Sequence, residues 1–374
     1  MKKILFFAAT LCLVLAAACG PKASRKATLV PAANFDVMMD TTQVGLYTLT
    51  NGKLVAQFTN YGARLVSLYV PDREGIMANV VVGRNSLKDY QTARGERYLG
   101  AITGPVAGPI SGGMFKIDGI TYNTDKNAGN HTFNGGSAGV DKMPWKVLDA
   151  SDSTLRMQLT LPDGQGGFPG KRVVQVTYAL AGNSLAVIIR AFSSAKTPLT
   201  FTFEPWFNLH GEGEGTIEDH VLAIHSNSFL PLTAEGVPIG NIVPTDNTAF
   251  DFYSAHTIGE NLSKLGEGKD FNHNWCLNFD ARMPLHDACV LRDSLSGRSV
   301  RVFTNRPGLQ VETGGTFDGT VPGSSGKPIV KYGAVLLAAQ DWPDAVNRPS
   351  FPSVVVEPQG YFSSTIMYRF ETLE

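Results

Sequence analysis

Two glutamates occur in surroundings that suit proton transfer. Glu204 lies among aromatic side chains in the run Phe201-Thr202-Phe203-Glu204-Pro205-Trp206-Phe207. Such neighbours exclude water, disfavour the charged carboxylate and raise its pKa, which favours a role as a general acid. Pro205 also biases Glu204 toward an extended backbone. The alternative interpretation is a hydrogen-bonded structural carboxyl or a residue at the rim of a cleft.

The second glutamate, Glu312, follows Gln310 at a spacing of two residues. Side chains two apart on a strand share one face, so a cleft that receives Gln310 also receives Glu312 unless a bulge intervenes. Together with Glu204 it would supply an acid and a base on either side of a substrate. The alternative is a Glu312 turned to solvent at the end of its strand.

The elements that position these side chains are predicted to be strands. Short alternating or β-branched runs are broken by Gly, Asn, Asp and Pro at intervals of roughly 8–12 residues, a pattern typical of an all-β sandwich or barrel. The turn at Asn51-Gly52 between two such runs indicates a hairpin. Helical periodicity beyond two turns is not convincing anywhere. Residues 34–374 are therefore predicted to form one large antiparallel β-sandwich domain.

Overall composition excludes some classes of partner. The 374 residues carry a formal net charge of −1 and include 39 Gly and 21 Pro, which suits a large core rich in turns. The sequence has no basic stripe, which argues against a nucleic-acid partner.

The N-terminal segment is predicted to be a targeting signal. Residues 1–18 comprise Lys2 and Lys3, an apolar run and then small residues. The run ends Leu15-Ala16-Ala17-Ala18-Cys19-Gly20, which resembles a bacterial lipobox and predicts cleavage before Cys19 and lipidation of its thiol. An ordinary secretory peptide is the alternative. Residues 19–33 are then a tether, and the domain is expected outside the cytoplasm, anchored by lipid at the periplasmic or cell-surface face of a bacterial membrane.

Two cysteines, Cys276 and Cys289, remain in the predicted domain. Export would permit a disulfide between them, but Cys276 lies in an apolar run where buried free thiols are common, so unpaired thiols are favoured. Cysteine and histidine spacings typical of zinc sites are absent, and no metal site is predicted.

The stretch from Val335 to Asn347 joins an apolar strand to the loop Gln340-Asp341-Trp342-Pro343-Asp344, and it resembles the aldose 1-epimerase (galactose mutarotase) family. Further blocks resemble the same family in the same order and cover nearly the whole predicted domain, which implies the large β-sandwich of galactose mutarotases. These blocks are Asn60 to Leu65, Val70 to Gly75, Asn79 to Gly83, Asp141-Lys142 with Trp145, Pro162 to Gly170, Phe207 to Leu209, Phe250-Asp251, His273 to Leu277 and Pro307 to Gln310.

The resemblance implies a chemistry without metal or organic cofactor. One group takes the proton of the C1 hydroxyl of a pyranose while another protonates the ring oxygen, and the roles reverse after rotation about C1–C2. The family uses a histidine at the ring oxygen and a glutamate at the hydroxyl, assisted by a second histidine, an arginine and an aspartate.

Carried over position by position, most of this set is replaced. The binding Asn and Arg become Gly108 and Pro109, and the assisting histidine becomes Asn134. The acid histidine becomes Glu204, and the base glutamate becomes Ala338. The aspartate and the sugar-contacting glutamine stand where the resemblance expects them, as Asp251 and Gln310.

The sequence therefore predicts Glu204 and Glu312 as a rebuilt catalytic pair. The predicted substrate-binding residues are Asp251, Gln310, Asn134, Trp206 and His131, although core packing is the default for Trp206 and a loop role for His131. The expected function is interconversion of the α and β anomers of a hexose or of an oligosaccharide reducing end. The alternatives are a non-catalytic carbohydrate-binding protein and another carboxylate-dependent reaction on sugars, such as glycoside hydrolysis.

Overall fold

The computed structural model describes residues 26–92, 96–279 and 282–373. The predicted signal peptide and residues 19–25 of the predicted tether, which include Cys19, lie outside these residues. Within them, no helix is both long and apolar enough to cross a bilayer. The two α-helices of the described residues are short, Leu87–Thr92 and Ile258–Leu265.

Apart from short 3-10 helices, antiparallel strands make up the rest of the regular structure in the described residues, as the sequence predicts. The largest sheet of the described residues has nine strands, in the spatial order Lys146–Ala150, Thr154–Leu161, Arg172–Ala181, Ser184–Ser193, Phe362–Thr372, Arg298–Thr304, His286–Arg292, Val221–Ile224 and His256–Thr257. A second sheet of the same residues, here called the site sheet, has six strands, in the order Trp206–Phe207, Val335–Gln340, Gly308–Glu312, Asn272–Cys276, Ser228–Leu230 and Val243–Pro244.

A four-stranded sheet near the N-terminus of the described chain contains Leu46–Thr50, Val55–Thr59, Arg64–Pro71 and Met77–Asn79. Its first two strands form the hairpin predicted at Asn51-Gly52. Short two-stranded ribbons complete the described strands: Val37–Met39 with Thr42–Val44, Ile102–Thr103 with Thr202–Phe203, Pro109–Ile110 with Thr132–Phe133, Met114–Ile117 with Ile120–Asn123, and Thr197–Pro198 with Val355–Val356.

The main core lies between the sheets and is built by alternation along the strands. In Arg172–Ala181, Val174, Val176 and Tyr178 are buried and the residues between them are partly exposed. Tyr178 stacks on Phe58 of the four-stranded sheet at a ring-centroid distance of 4.3 Å. Side chains two apart on a strand share a face, so one set of residues packs while the other meets solvent.

The Val335–Gln340 strand is buried on both faces. Val335, Leu337 and Ala339 join the main core, whereas Leu336 and Ala338 belong to a second cluster on the opposite face. This second face looks toward a cavity, and its residues carry the candidate site.

The thiols of Cys276 and Cys289 are both free and buried. Unpaired thiols are what the sequence favoured. Burial raises the pKa of the Cys276 thiol to about 12, so it remains protonated and unreactive near neutral pH.

Candidate functional site

A cavity of about 940 Å³ lies over the site sheet. This volume is near the upper end of the range typical of small-molecule sites. Three neighbouring strands supply its floor through side chains on one face: Asn272, Gln310, Glu312, Leu336, Ala338 and Gln340.

The pairing of these strands explains the arrangement of the floor. Gln310 pairs with Ala338, and Glu312 pairs with Leu336 on one side and Asn272 on the other. The two-residue spacing therefore brings Gln310 and Glu312 into the cavity together, and no bulge interrupts their strand. Both residues line the cavity, as the sequence predicted.

Glu204 enters the cavity from the two-residue connection between the strands Thr202–Phe203 and Trp206–Phe207, beside Ala338. Trp206 pairs with Leu336 and Phe207 with Val335, and the same register extended by two residues sets Glu204 level with Ala338. Close packing continues there, because the Leu337 N–H donates to the Pro205 carbonyl over 3.4 Å. Facing positions on neighbouring strands have Cβ atoms about 4.5–5.5 Å apart. The carboxyl of Glu204 therefore lies next to the position where the family resemblance expects one and this chain has alanine.

Asn134 holds the Glu204 carboxyl. Its Nδ2 donates to Glu204 Oε1 over 3.0 Å. The amide orientation is fixed because Asn134 Oδ1 accepts the Gly108 N–H over 2.7 Å, which leaves the Nδ2 group for the glutamate.

The backbone around Asn134 is tightly constrained. Asn134 has a φ of 49°, a left-handed conformation that asparagine adopts more readily than most residues. Gly135 follows with a φ of 84°, and a Cβ there would lie 2.1 Å from the Gly104 carbonyl oxygen. Only glycine fits at that position, so the turn that delivers Asn134 to the cavity depends on it.

The structure adds a third carboxyl that sequence reasoning missed. Glu96 lines the cavity beside Glu204 and Glu312, and its Oε1 accepts the Tyr98 N–H over 2.6 Å. It precedes a short strand in a loop, where neither periodicity nor a recognised block marks it. Its only sequence signal is its position. It lies shortly before the segment that contains Gly108 and Pro109, which the family resemblance aligns with sugar-binding residues.

The three carboxyls perturb one another. Burial, reinforced by the nearby Glu96 carboxyl, raises the pKa of Glu204 to about 8. Burial, with repulsion from Glu96 and Glu204, raises the pKa of Glu312 well above its ordinary value, and burial likewise raises the pKa of Glu96. Ionising one carboxyl makes the next harder to ionise, so the set passes through states that hold a carboxylate and a carboxylic acid together.

Aromatic side chains form one wall of the cavity. Tyr98 and Phe133 both line it and contact each other edge to face at a centroid distance of 5.8 Å. The structure does not bring Trp206 to this wall: its side chain is 1% exposed and packs against Phe317 at 5.1 Å. Trp206 is a packing residue, and Tyr98 and Phe133 offer the apolar surface that a sugar face requires.

Two other residues predicted from the sequence have distinct placements. His131 lines the cavity mouth, where its Nδ1 accepts the Gly112 N–H and its Nε2 lies 2.9 Å from Glu235 Oε2. Asp251 lies outside the cavity lining. Its carboxylate accepts the Tyr253 N–H over 3.2 Å in a local turn.

A separate group of His210, Asp219 and His220 has the ligand atoms that a metal site needs, within 4.8 Å of one another in the described residues. The Leu209 N–H donates to His220 Nε2 over 2.9 Å. The ring proton of neutral His220 is therefore on Nδ1, where it is donated to Asp219. Both ring nitrogens of His220 and the Nε2 atom of His210 have hydrogen-bond partners within the protein, and we assign this group no metal role.

The architecture and this cavity define a galactose mutarotase-like β-sandwich with an acidic cleft. A family model described as aldose 1-epimerase matches residues 45–369. Galactose mutarotase from Sus scrofa is 35% identical over 325 residues, covering 87% of this chain and 93% of that protein. Aldose 1-epimerase from Haemophilus influenzae is 31% identical over 306 residues, covering 80% of this chain and 87% of that protein.

Solved structures agree with the fold. A galactose 1-epimerase from Lactobacillus acidophilus superposes with a TM-score of 0.78 at 26% identity, covering 90% of this chain and 97% of that one. An aldose epimerase homologue from C. elegans gives a TM-score of 0.81 at 22% identity, covering 88% of this chain and 100% of that one. The chain belongs to the aldose 1-epimerase family.

Proposed function

We propose that this protein interconverts the α and β anomers of an aldose, either a free hexose or the reducing end of an oligosaccharide, by acid/base ring opening. The observation that carries the proposal is the meeting of Glu204 and Glu312 in one cavity of a family member. Both family histidine positions and the family glutamate position hold other residues here, so these carboxyls replace the usual proton-transfer groups.

In the proposed reaction, one carboxylate takes the C1 hydroxyl proton while a protonated carboxyl gives its proton to the ring oxygen. Glu204, whose pKa is raised to about 8, retains its proton at neutral pH and acts as the acid toward the ring oxygen. Glu312 acts as the base in the fraction of molecules in which its carboxyl, whose pKa is also raised by burial and by the neighbouring carboxyls, has lost its proton. The two residues exchange roles when the ring closes on the other face. Gln310 beside them is placed to hold a sugar hydroxyl.

The test is polarimetry or NMR of freshly dissolved α-glucose and α-galactose with the purified protein. We expect first-order acceleration proportional to protein concentration, above the buffer rate. Sugar binding by calorimetry without acceleration would instead establish a carbohydrate-binding protein. Hydrolysis of a panel of glycosides would establish a different carboxylate-dependent reaction.

We also propose that the protein is exported and anchored by lipid at Cys19, on the periplasmic or cell-surface face of a bacterial membrane. The support is the basic and apolar N-terminal run and the residues Leu15 to Gly20. In a bacterial host, the wild type is expected in the membrane fraction with a labelled fatty acid attached. Cys19→Ala should carry no label, and equal labelling of both proteins would refute the anchor.

A further inference from the structure

The charged lining of the cavity is predominantly acidic. Five carboxyl side chains face it, while its basic groups are one lysine and two histidines: Glu96, Glu204, Glu235, Asp270 and Glu312 against Lys269, His131 and His273. His131 is paired with Glu235. Burial lowers the pKa of His273 to about 4, so this side chain is neutral at neutral pH. Lys269 is exposed, which leaves the deeper carboxyls without a cation among the lining residues.

Arginines lie behind the lining, and their terminal guanidinium nitrogens donate to backbone carbonyls. The Arg64 guanidinium donates to the carbonyls of Arg97, Leu99 and Asp141. The Arg84 guanidinium donates to the Pro322 carbonyl. Both arginines lower the pKa of Glu96 through space, yet burial outweighs them. Neither lines the cavity, and Pro109 stands where the resemblance expects an arginine.

Hydrogen-bond donors on the floor are also committed. Asn134 Nδ2 donates to Glu204, Gln310 Nε2 donates to Asn272 Oδ1 over 2.7 Å, and Gln340 Nε2 donates to Asn274 Oδ1 over 3.3 Å. In contrast, no described side chain donates a hydrogen bond to Glu312, and the buried Glu204 carboxyl has the Asn134 amide and the Thr103 hydroxyl as its polar side-chain neighbours. The cavity therefore offers a ligand mainly hydrogen-bond acceptors, because most of its side-chain donors are hydrogen-bonded within the protein.

We propose that the substrate of this cavity is an amino sugar, an aldose in which an amine replaces one hydroxyl. A protonated amine brings one positive charge and three donors, which complement unpaired carboxyl oxygens. This inference rests on the proposed function and specifies its substrate class. It also gives the substrate a part in activating the site, because a bound ammonium favours ionisation of a neighbouring carboxyl and so generates the base.

Mutarotation kinetics at pH 6.5 test this proposal with three sugars: 2-amino-2-deoxyglucose, glucose as the neutral match in size, and the N-acetylated amino sugar as the match that has lost the charge. We expect kcat/KM, corrected for each buffer rate, to be at least about tenfold higher for the free amine than for either neutral sugar. That preference should decline as ionic strength rises.

Glu96→Gln should reduce the preference for the amine, whereas Glu371→Gln, an exposed carboxyl at the end of the Phe362–Thr372 strand, should leave it unchanged. Should Glu96→Gln fail to fold, the ionic-strength series on the wild type decides instead. If kcat/KM at low salt were the same for glucose and for the free amine, the amino-sugar assignment would be wrong. The mutarotase proposal would not be affected. If no sugar is accelerated, the mutarotase proposal fails, and calorimetry with the same sugars shows separately whether the cavity prefers the amine.

Discussion

Asn134 donates a 3.0 Å hydrogen bond to Glu204, and these two residues occupy the positions at which the family resemblance places histidines. The residues that replace the two histidines therefore contact each other, and the two replacements are structurally linked. Glu204 also lies level with Ala338, the position of the missing family glutamate. We interpret the three changes together as the transfer of a carboxyl from one strand to its neighbour, with an amide donor to hold it.

The first prediction concerns the amide. Asn134→Ala removes a donor that stabilises the Glu204 carboxylate, so the pKa of Glu204 should rise further and kcat/KM should decrease by about tenfold. Asn134→His, which keeps a ring N–H, should lose less. In a double-mutant cycle with Glu204→Gln, the two effects should be strongly non-additive. Additive losses would show that Asn134 acts independently of Glu204.

The second prediction is the pH dependence of the rate. Glu204 must carry its proton to act as the acid, and its pKa is raised to about 8 by burial. The wild-type kcat/KM should therefore decrease as pH rises above about 8. The residual activity of Glu204→Gln should show no such descent, because glutamine does not titrate. A descent that persists unchanged in this variant would assign it to another group.

The third prediction is a gain in stability when Glu204 is replaced. Its pKa is about 8 in the folded protein against an ordinary value of 4.5, so folding favours the protonated form. The contribution of this group is fully present below pH 4.5 and is lost progressively as pH rises to about 8. Each pH unit corresponds to about 1.4 kcal/mol, and Glu204→Gln should raise the free energy of unfolding at pH 8 by on the order of 3–5 kcal/mol.

Urea denaturation of both proteins at pH 4.5 and pH 8 measures this effect. The gain should be small at the lower pH and should appear at the higher one. Glu371→Gln, on the exposed surface, provides the control and should change stability little at either pH. Equal stability of wild type and Glu204→Gln at pH 8 would show that the carboxyl is not held in a desolvated state.

The fourth prediction restores the family glutamate. Ala338 is 1% exposed and neighbours Glu204 and Gln310, so Ala338→Glu adds another carboxyl to an already repulsive group. We expect destabilisation by about 2–4 kcal/mol at pH 8. Combining it with Glu204→Gln should recover much of this loss, because the cavity is then relieved of one carboxyl. Denaturant unfolding of the single and double variants checks the coupling, and equal destabilisation by Ala338→Glu in both backgrounds would contradict it.

Much of this site follows from local rules that the sequence displays. The two-residue spacing of Gln310 and Glu312 predicted their common face, and the aromatic neighbours of Glu204 predicted its desolvation. The β architecture followed from alternation and turn residues. These features depend on short-range periodicity, which one chain reveals without an alignment.

Other parts of the site depend on contacts between distant segments. Glu96 reaches the cavity from a loop, so no period marks it. Trp206 is two residues from the cavity-lining Glu204, but its ring packs against Phe317. Phe317 is distant in sequence, so only the tertiary structure shows this contact. Asp251 matches a family position, yet its carboxylate accepts the Tyr253 N–H in a local turn. Short polar side chains often form such local hydrogen bonds with the backbone.

The rate of sugar mutarotation by Glu204→Gln and Glu312→Gln, measured beside the wild type and Glu371→Gln, tests the central claim most directly. Loss of a general acid or base typically costs about 10²–10⁴-fold. We predict that each site variant loses at least about 100-fold in kcat while still binding sugar, and that Glu371→Gln retains wild-type activity. Wild-type rates in both Glu204→Gln and Glu312→Gln would contradict the assignment of proton transfer to these two carboxyls.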